Sequence, residues 1–275
     1  MSKLRRYKWK DGKELIIEHD TLVMGILNGT PDSFSDGGKY NTERTAVLHA
    51  KNLELEGADI IDVGLESTRP GHIQISVEEE IKRMKEILLP IIKSVNIPIS
   101  IDTYRHETAE FALENGANIL NDIWGLQYDD KIAKVAAKYQ VPVVIMHNQN
   151  DTNYVDIVSD IKAFFAKSIE IANKAGIKKE NIILDPGFGF GKTAEQNIEL
   201  MRRLAEFEDL DYPLLIGTSR KRFIGQMLEG LSSSERDEGT VATCVAGALA
   251  GAKIVRVHNV KMTARAMKVA NKIKK

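Results

Sequence analysis

Apolar residues recur along the chain in short unbroken runs, each closed by a polar residue and followed by a longer stretch of helical periodicity. The first run, residues 22–27, stops at Asn28, where a loop rich in Gly, Ser and Asp takes over, the pattern of a buried strand ending in a polar loop. Further runs follow at 59–63, 97–101, 118–120, 141–146, 181–184, 214–216 and 253–257. Helical periodicity occupies 43–56, 77–95, 107–114, 130–139, 155–175, 194–206, 236–250 and 261–273. Strands alternating with helices predict right-handed βαβ units and a parallel sheet. Eight such units with no Pro/Gly/Ser-rich linker predict a single (β/α)8 barrel domain over residues 1–275. A doubly wound open sheet has the same local units and is the competing architecture; the count favours the barrel. Ahead of the first run, 7–10 and 14–17 flank Asp11-Gly12, which predicts a hairpin within residues 1–20 that plugs the non-catalytic end. Three helix ends read Glu56-Gly-Ala58, Asn115-Gly-Ala117 and Ala250-Gly-Ala252, where the glycine is expected to turn left-handed and close the helix.

In such barrels the active site lies at the C-terminal strand ends. There the chain places Asn28, Asp62, Asp102, Asn121 with Asp122, His147, Asp185, Ser219 to Arg222, and Arg256 with His258. Capping explains one such residue, not a ring of them. Closure puts the eighth strand beside the first, so Asn28, Lys221, Arg256 and His258 become neighbours in a sector that also draws on Arg69, Arg220 and Arg222. That sector suits a phosphorylated group. The opposite sector offers Asp102, Asn121 and Asp185 above apolar walls that include Met146 and Phe190, a setting for a flat aminopyrimidine whose N–H groups the carboxylates accept. The competing reading makes Asp102 and Asp185 partners in buried salt bridges with the barrel's own Lys or Arg. Oxygen ligands such as Asn28 suit Mg2+ held jointly with substrate phosphate oxygens.

Charge and composition narrow the class. The 275 residues carry 38 Lys+Arg against 39 Asp+Glu, so no global field favours nucleic acid or a membrane surface. One cysteine, Cys244, excludes an internal disulfide and fits a reducing compartment, and neither a signal peptide nor a spanning run is evident; a cytoplasmic enzyme is expected. Gly187-Phe-Gly-Phe-Gly-Lys192-Thr193 fails the phosphate-loop pattern, because Pro186 occupies the first glycine position. Backbone approaching a flat ligand accounts for it better. The stretches 32–38 and 66–71 read as loops that order over a substrate.

Seven ordered motifs carry a family resemblance: MGILNGTPDSFSDGG from Met24, GADIIDVGLESTRPG from Gly57, ISIDTYR from Ile99, NDIWG from Asn121, LDPGFGFGKT from Leu184, GTSRKRFIG from Gly217 and VRVHNV from Val255. Together they resemble the dihydropteroate synthases, pterin-binding barrels that condense dihydropterin pyrophosphate with 4-aminobenzoate to give 7,8-dihydropteroate. The resemblance implies that Asp102, Asn121, Asp185 and Lys221 hold the pterin, with Met146, Phe190 and Gly217 in the same pocket. It implies that Arg256 and His258 clamp the pyrophosphate, that Asn28 binds Mg2+ and the pyrophosphate, and that Thr68 and Pro70 border the aminobenzoate with Arg222 at its edge, Arg69 standing with the substrate-binding cations. Asp102, Lys221 and Asn28 would carry catalysis in an SN1-like reaction, and the family suggests a homodimer. A methyltetrahydrofolate methyltransferase would share the pterin floor, and a non-catalytic pterin-binding barrel would share the fold, but neither requires the STRPG, SRK and RVH segments together. Two positions depart from the family pattern: Gly29 stands where Val is common, and Leu65 where a second Gly is common. Gly29 is expected to loosen the first loop and Leu65 to stiffen the second.

Overall fold

The computed structural model describes residues 4–29, 39–66 and 74–274. Its strands are β1 (Arg5–Lys8), β2 (Glu14–Ile17), β3 (Leu22–Asn28), β4 (Ile60–Gly64), β5 (Ile99–Asp102), β6 (Ile119–Asp122), β7 (Val143–Met146), β8 (Ile182–Asp185), β9 (Leu215–Ile216) and β10 (Ile254–Val257). The last eight form one parallel sheet in the order β8-β7-β6-β5-β4-β3-β10-β9, and a parallel bridge from Leu184 to Leu214 joins its two ends. The result is a (β/α)8 barrel in which β10 lies beside β3, as closure requires.

Around it run α1 (Lys39–Glu56), α2 (Val77–Arg83), α3 (Leu89–Ser94), α4 (His106–Glu114), α5 (Ile132–Tyr139), α6 (Ile157–Ala175), α7 (Ala194–Arg202), α8 (Arg222–Met227), α9 (Asp237–Leu249) and α10 (Val260–Ile273). The single helix expected over 77–95 is instead α2 and α3 joined by a π-helical turn, Met84–Leu88. Pro90 explains the change, since it lacks an N–H and its ring crowds the preceding turn. The helix expected to reach 206 ends at Arg202, and Leu204–Leu210 continues as 3-10 turns. No helix among the described residues is long and apolar enough to cross a membrane.

The hairpin closes the bottom of the barrel. Tyr7, Leu15 and Ile17 pack beneath Met24, Ile60, Ile119, Val144, Ile183, Leu215 and Ile254, so inward-facing residues of seven strands form a plugged apolar layer. Each fully buried aliphatic side chain contributes about 1.5–3 kcal/mol there. Gly57, Gly116 and Gly251 take positive φ values of 101°, 103° and 103°, and the alanine after each bonds back to Leu53, Ala112 and Gly247, closing the helices as expected. With the bottom sealed, the polar strand ends gather at the opposite mouth.

Candidate active site

Asp62, Asp102, Asn121 and Arg256 come from four strands and meet at that mouth. Arg256 on β10 donates from Nε to Asp62 Oδ2 (2.6 Å) and from Nη2 to Asp102 Oδ2 (3.0 Å). Asn121 Nδ2 supplies a second bond to Asp62 Oδ2 at 3.1 Å. The buried salt bridge expected as the competing reading of Asp102 is therefore present, but it uses one oxygen of each carboxylate. The other oxygens, Asp62 Oδ1 and Asp102 Oδ1, are buried without a hydrogen-bond partner among the described residues. An unsatisfied buried acceptor costs about 1–3 kcal/mol, so a ligand bringing N–H groups to these two oxygens would recover that cost.

Across the mouth, Asp185 Oδ1 accepts the Gly187 N–H at 2.8 Å. Burial pushes its carboxyl up to about 6, against the Gly187 bond and the charges of Lys221 and Arg256. Burial likewise raises Asp102, opposed chiefly by Arg256 and reinforced by Asp62. Lys221 Nζ stands 4.0 Å from the Phe190 ring centroid, a cation–π contact at the edge of the pocket. Met146 and Phe190 belong to one apolar cluster with Tyr104, Ile123 and Trp124. The two expected wall residues are thus together, and Trp124 stands with them.

The Gly-rich segment after β8 is built around Lys192. Its Nζ donates to the Gly187 and Phe190 carbonyls (2.9 and 3.0 Å) and lies 3.0 Å from His147 Nδ1. Burial lowers Lys192 to about 7, and burial together with Lys192 lowers His147 to about 3, so this imidazole is neutral at pH 7. Gly187 has φ +72°, and a Cβ there would collide with the His147 carbonyl. The segment is a backbone shelf fastened from inside by a lysine.

His258 is held from β9's loop. Ser219 Oγ accepts the His258 backbone N–H at 3.0 Å and lies 2.9 Å from its Nδ1, so one hydroxyl holds both the backbone and the ring of this histidine. Burial first, then Arg256, Arg220 and Lys221, lower this histidine to about 3, keeping it neutral. Arg220 departs from the cationic sector expected of it, because Asp237 takes its guanidinium in a bidentate pair at 2.7 and 2.9 Å. Arg222 is exposed at the start of α8. Gly217 lies beside Arg256, 4.0 Å from Cβ to Cβ were it to carry one. Asn28 is exposed at the end of β3, and its Oδ1 and Asp102 Oδ2 each stand 3.8 Å from where a Gly64 Cβ would be. Glycine at 64 keeps the space between those oxygens open. Thr68, Arg69 and Pro70, and the loop readings over 32–38 and 67–71, lie outside the described residues.

The sequence profile of pterin binding enzymes matches residues 24–258. The dihydropteroate synthase of Clostridium beijerinckii is 54% identical over 260 residues, covering 94% of this chain and 96% of that protein. The chain belongs to the dihydropteroate synthase family. The Bacillus subtilis dihydropteroate synthase is 50% identical over 255 residues, covering 93% of this chain and 89% of its own. Among solved structures, a Clostridium difficile dihydropteroate synthase obtained in the presence of pteroic acid superposes with a TM-score of 0.91 at 51% identity, covering 94% of this chain and 98% of that one. A Xanthomonas albilineans dihydropteroate synthase with 4-aminobenzoic acid does so at 0.93 and 38% identity, covering 99% of both chains.

Within this dihydropteroate synthase fold, Asp62 was legible only as a strand end. Its signal is a carboxylate in the middle of a fully buried strand, Ile60–Gly64, where only a partner such as Arg256 makes burial tolerable. A second group was missed because its members are far apart in sequence. Glu66 accepts from the Ile75 N–H (2.8 Å), the Tyr104 hydroxyl (3.0 Å) and Arg105 (3.2 Å), while Arg105 also holds Glu80 at 2.7 Å.

The two departures from the family pattern form one packing unit. A Cβ on Gly29 would stand 2.5 Å from Leu65 Cδ2 and 3.2 Å from Ile87 Cδ1, and Leu65 is fully buried. The volume given up at 29 is filled from 65, so neither residue acts through backbone freedom alone. Gly29→Val is expected to cost about 1–3 kcal/mol by overpacking, and Leu65→Ala about 2–5 kcal/mol by leaving a cavity. The double variant should be more stable than their sum by about 1 kcal/mol or more in a urea double-mutant cycle. Additive single costs would show that the two sites do not share this space.

Proposed function

We propose that the chain catalyses condensation of (7,8-dihydropterin-6-yl)methyl diphosphate with 4-aminobenzoate, releasing diphosphate and 7,8-dihydropteroate, at the mouth described above. The observation that carries the reading is the pair of buried, unpartnered carboxylate oxygens on Asp62 and Asp102, with Asp185 opposite. They suit the adjacent N–H donors of a pterin lying between the Phe190 and Met146 walls. Asp102, Asn121, Asp185 and Lys221 hold the ring, and His258 and Arg256 meet the diphosphate.

The reaction is SN1-like. The C–O bond to the diphosphate breaks first, its electron pair leaving on oxygen, and a pterin methylene cation forms. Asp102 and Asp185 place negative charge beside that cation, while Arg256 and His258 stabilise the departing oxygen, with their charges preorganised by the strands that carry them. The 4-aminobenzoate nitrogen then forms the C–N bond and loses a proton. The family pattern assigns Thr68 and Pro70, with Arg222 at the edge, to that second substrate. Asn28 would hold Mg2+, its amide oxygen and the nearby Asp102 being hard oxygen donors around the space left by Gly64. Bound Mg2+ supplies charge neutralisation for diphosphate oxygens.

Incubation with both substrates and Mg2+, read by mass spectrometry and a diphosphate assay, is expected to give the two products in equal amounts. EDTA should stop turnover and excess Mg2+ restore it. Pterin binding without either product would return the site to methyl transfer or passive binding. The single buried cysteine fits a reducing, cytoplasmic setting, and membership of the family suggests a homodimer, the state to be read by analytical ultracentrifugation.

A further inference from the structure

Lys221 and His258 reach the mouth from loops that leave different strands. Residues 217–221 follow β9 and residues 258–259 follow β10, and neither stretch is helix or strand. Contacts from outside the two loops must therefore fix where these side chains stand.

The turn before Lys221 shows where those contacts come from. Arg220 has φ +56°, a left-handed conformation that residues with a Cβ seldom adopt and that persists where the surroundings over-determine it. The surroundings here are the residues that open α9. Thr240 Oγ1 accepts the Arg220 N–H at 3.0 Å, Arg236 Nη1 donates to the Arg220 carbonyl at 3.1 Å, and Asp237 takes the guanidinium on both carboxylate oxygens.

Asp237 also reaches the second loop. Its Oδ2 accepts Asn259 Nδ2 at 2.9 Å, on the residue directly after His258. That amide is fixed from its other side, where Asn259 Oδ1 accepts the Met262 N–H and caps α10. One carboxylate thus holds the residue before Lys221 and the residue after His258. Ser219 Oγ, through its two contacts with His258, joins the same loops a second time.

We infer, on the roles given above to Lys221 and His258, that Asp237 is a positioning residue for the reaction: by tying Arg220 to Asn259 it sets these two side chains at the spacing that the pterin and its diphosphate require. A misplacement of about 1 Å can cost on the order of 10²-fold in rate, so a contact one residue removed from each is enough.

Asp237→Ala tests this in the full chain, by steady-state kinetics beside thermal unfolding. KM for the dihydropterin diphosphate is expected to rise about tenfold while KM for 4-aminobenzoate stays within about twofold. A loss of folded enzyme alone would lower kcat and leave both KM values in place. Because Asp237 acts through its two neighbours, its removal should cost about threefold or less when Lys221→Met or His258→Ala is already present. Titration calorimetry with inorganic diphosphate and Mg2+ reads the same site without turnover, and Asp237→Ala should weaken that binding about tenfold. The inference is overturned if Asp237→Ala leaves KM for the dihydropterin diphosphate unchanged, or if its cost is undiminished in both backgrounds. Should the unaltered protein form no dihydropteroate yet bind diphosphate more tightly than Asp237→Ala does, the positioning role stands and the synthase reading falls; absence of both product and diphosphate binding overturns the two together. If Asp237→Ala does not fold, Asp237→Asn takes its place with the same expected direction, since an amide cannot hold the Arg220 fork on two acceptors.

Discussion

Replacing Arg256 with Met is expected to cost about 3–5 kcal/mol of stability at pH 8, because it leaves Asp62 and Asp102 buried without the cation they share. The loss should shrink as pH falls. Asp102 already lies above its ordinary range through burial, and Arg256 is the chief charge opposing that rise. Without Arg256 its folded-state affinity for a proton rises further. An acid raised in this way has its stabilising contribution in full below its unfolded pKa, near 4, and loses it as pH climbs through the folded value. The deficit relative to the unaltered protein should therefore be largest at pH 8 and smaller at pH 5, as measured by urea unfolding at both. Turnover should fall about 10²–10³-fold or more, since Arg256 also meets the leaving diphosphate. An equal deficit at the two pH values would mean that Arg256 acts by packing and not as counter-ion to the aspartates.

Lys221→Met is the complementary case. Lys221 opens α8 from the loop after β9, and its charge acts on Asp185 and on the Phe190 face and not on a buried pair. Its loss should change stability by about 1 kcal/mol or less, the size of a partly exposed cation–π contact. The specificity constant should drop about 10²–10³-fold, equivalent to about 2.7–4 kcal/mol of transition-state stabilisation. Lys221→Arg should recover part of it, because the charge returns with a different reach. Steady-state kinetics beside thermal unfolding make the comparison. A Lys221→Met enzyme with full turnover would remove this residue from the machinery, and a large loss of stability would make its role structural.

The two variants separate two kinds of charge at one mouth. Arg256 stabilises both the protein and its site, since it lies among carboxylates that the fold itself has buried. Lys221 serves the ligand.

The barrel was legible because its signal is local and repeated. A strand buried on both faces reads as an unbroken apolar run, a helix wrapped around it reads at a period of 3.6, and eight alternations leave few topologies. Element ends were less legible where a residue acts through the backbone: Pro90 turns one expected helix into two joined by a π turn. The ring of polar strand ends was also readable, since in this fold each strand delivers its last residues to the same mouth. The sequence by itself thus determined the architecture, the family and most of the residues around the pocket. Only the tertiary structure decided their partners. Asp62 with Arg256, Lys192 with His147, Arg220 with Asp237 and Gly29 with Leu65 are separated by 194, 45, 17 and 36 positions. Hydrogen bonds and van der Waals contacts act over a few ångströms, and it is closure of the barrel that brings such residues within that range.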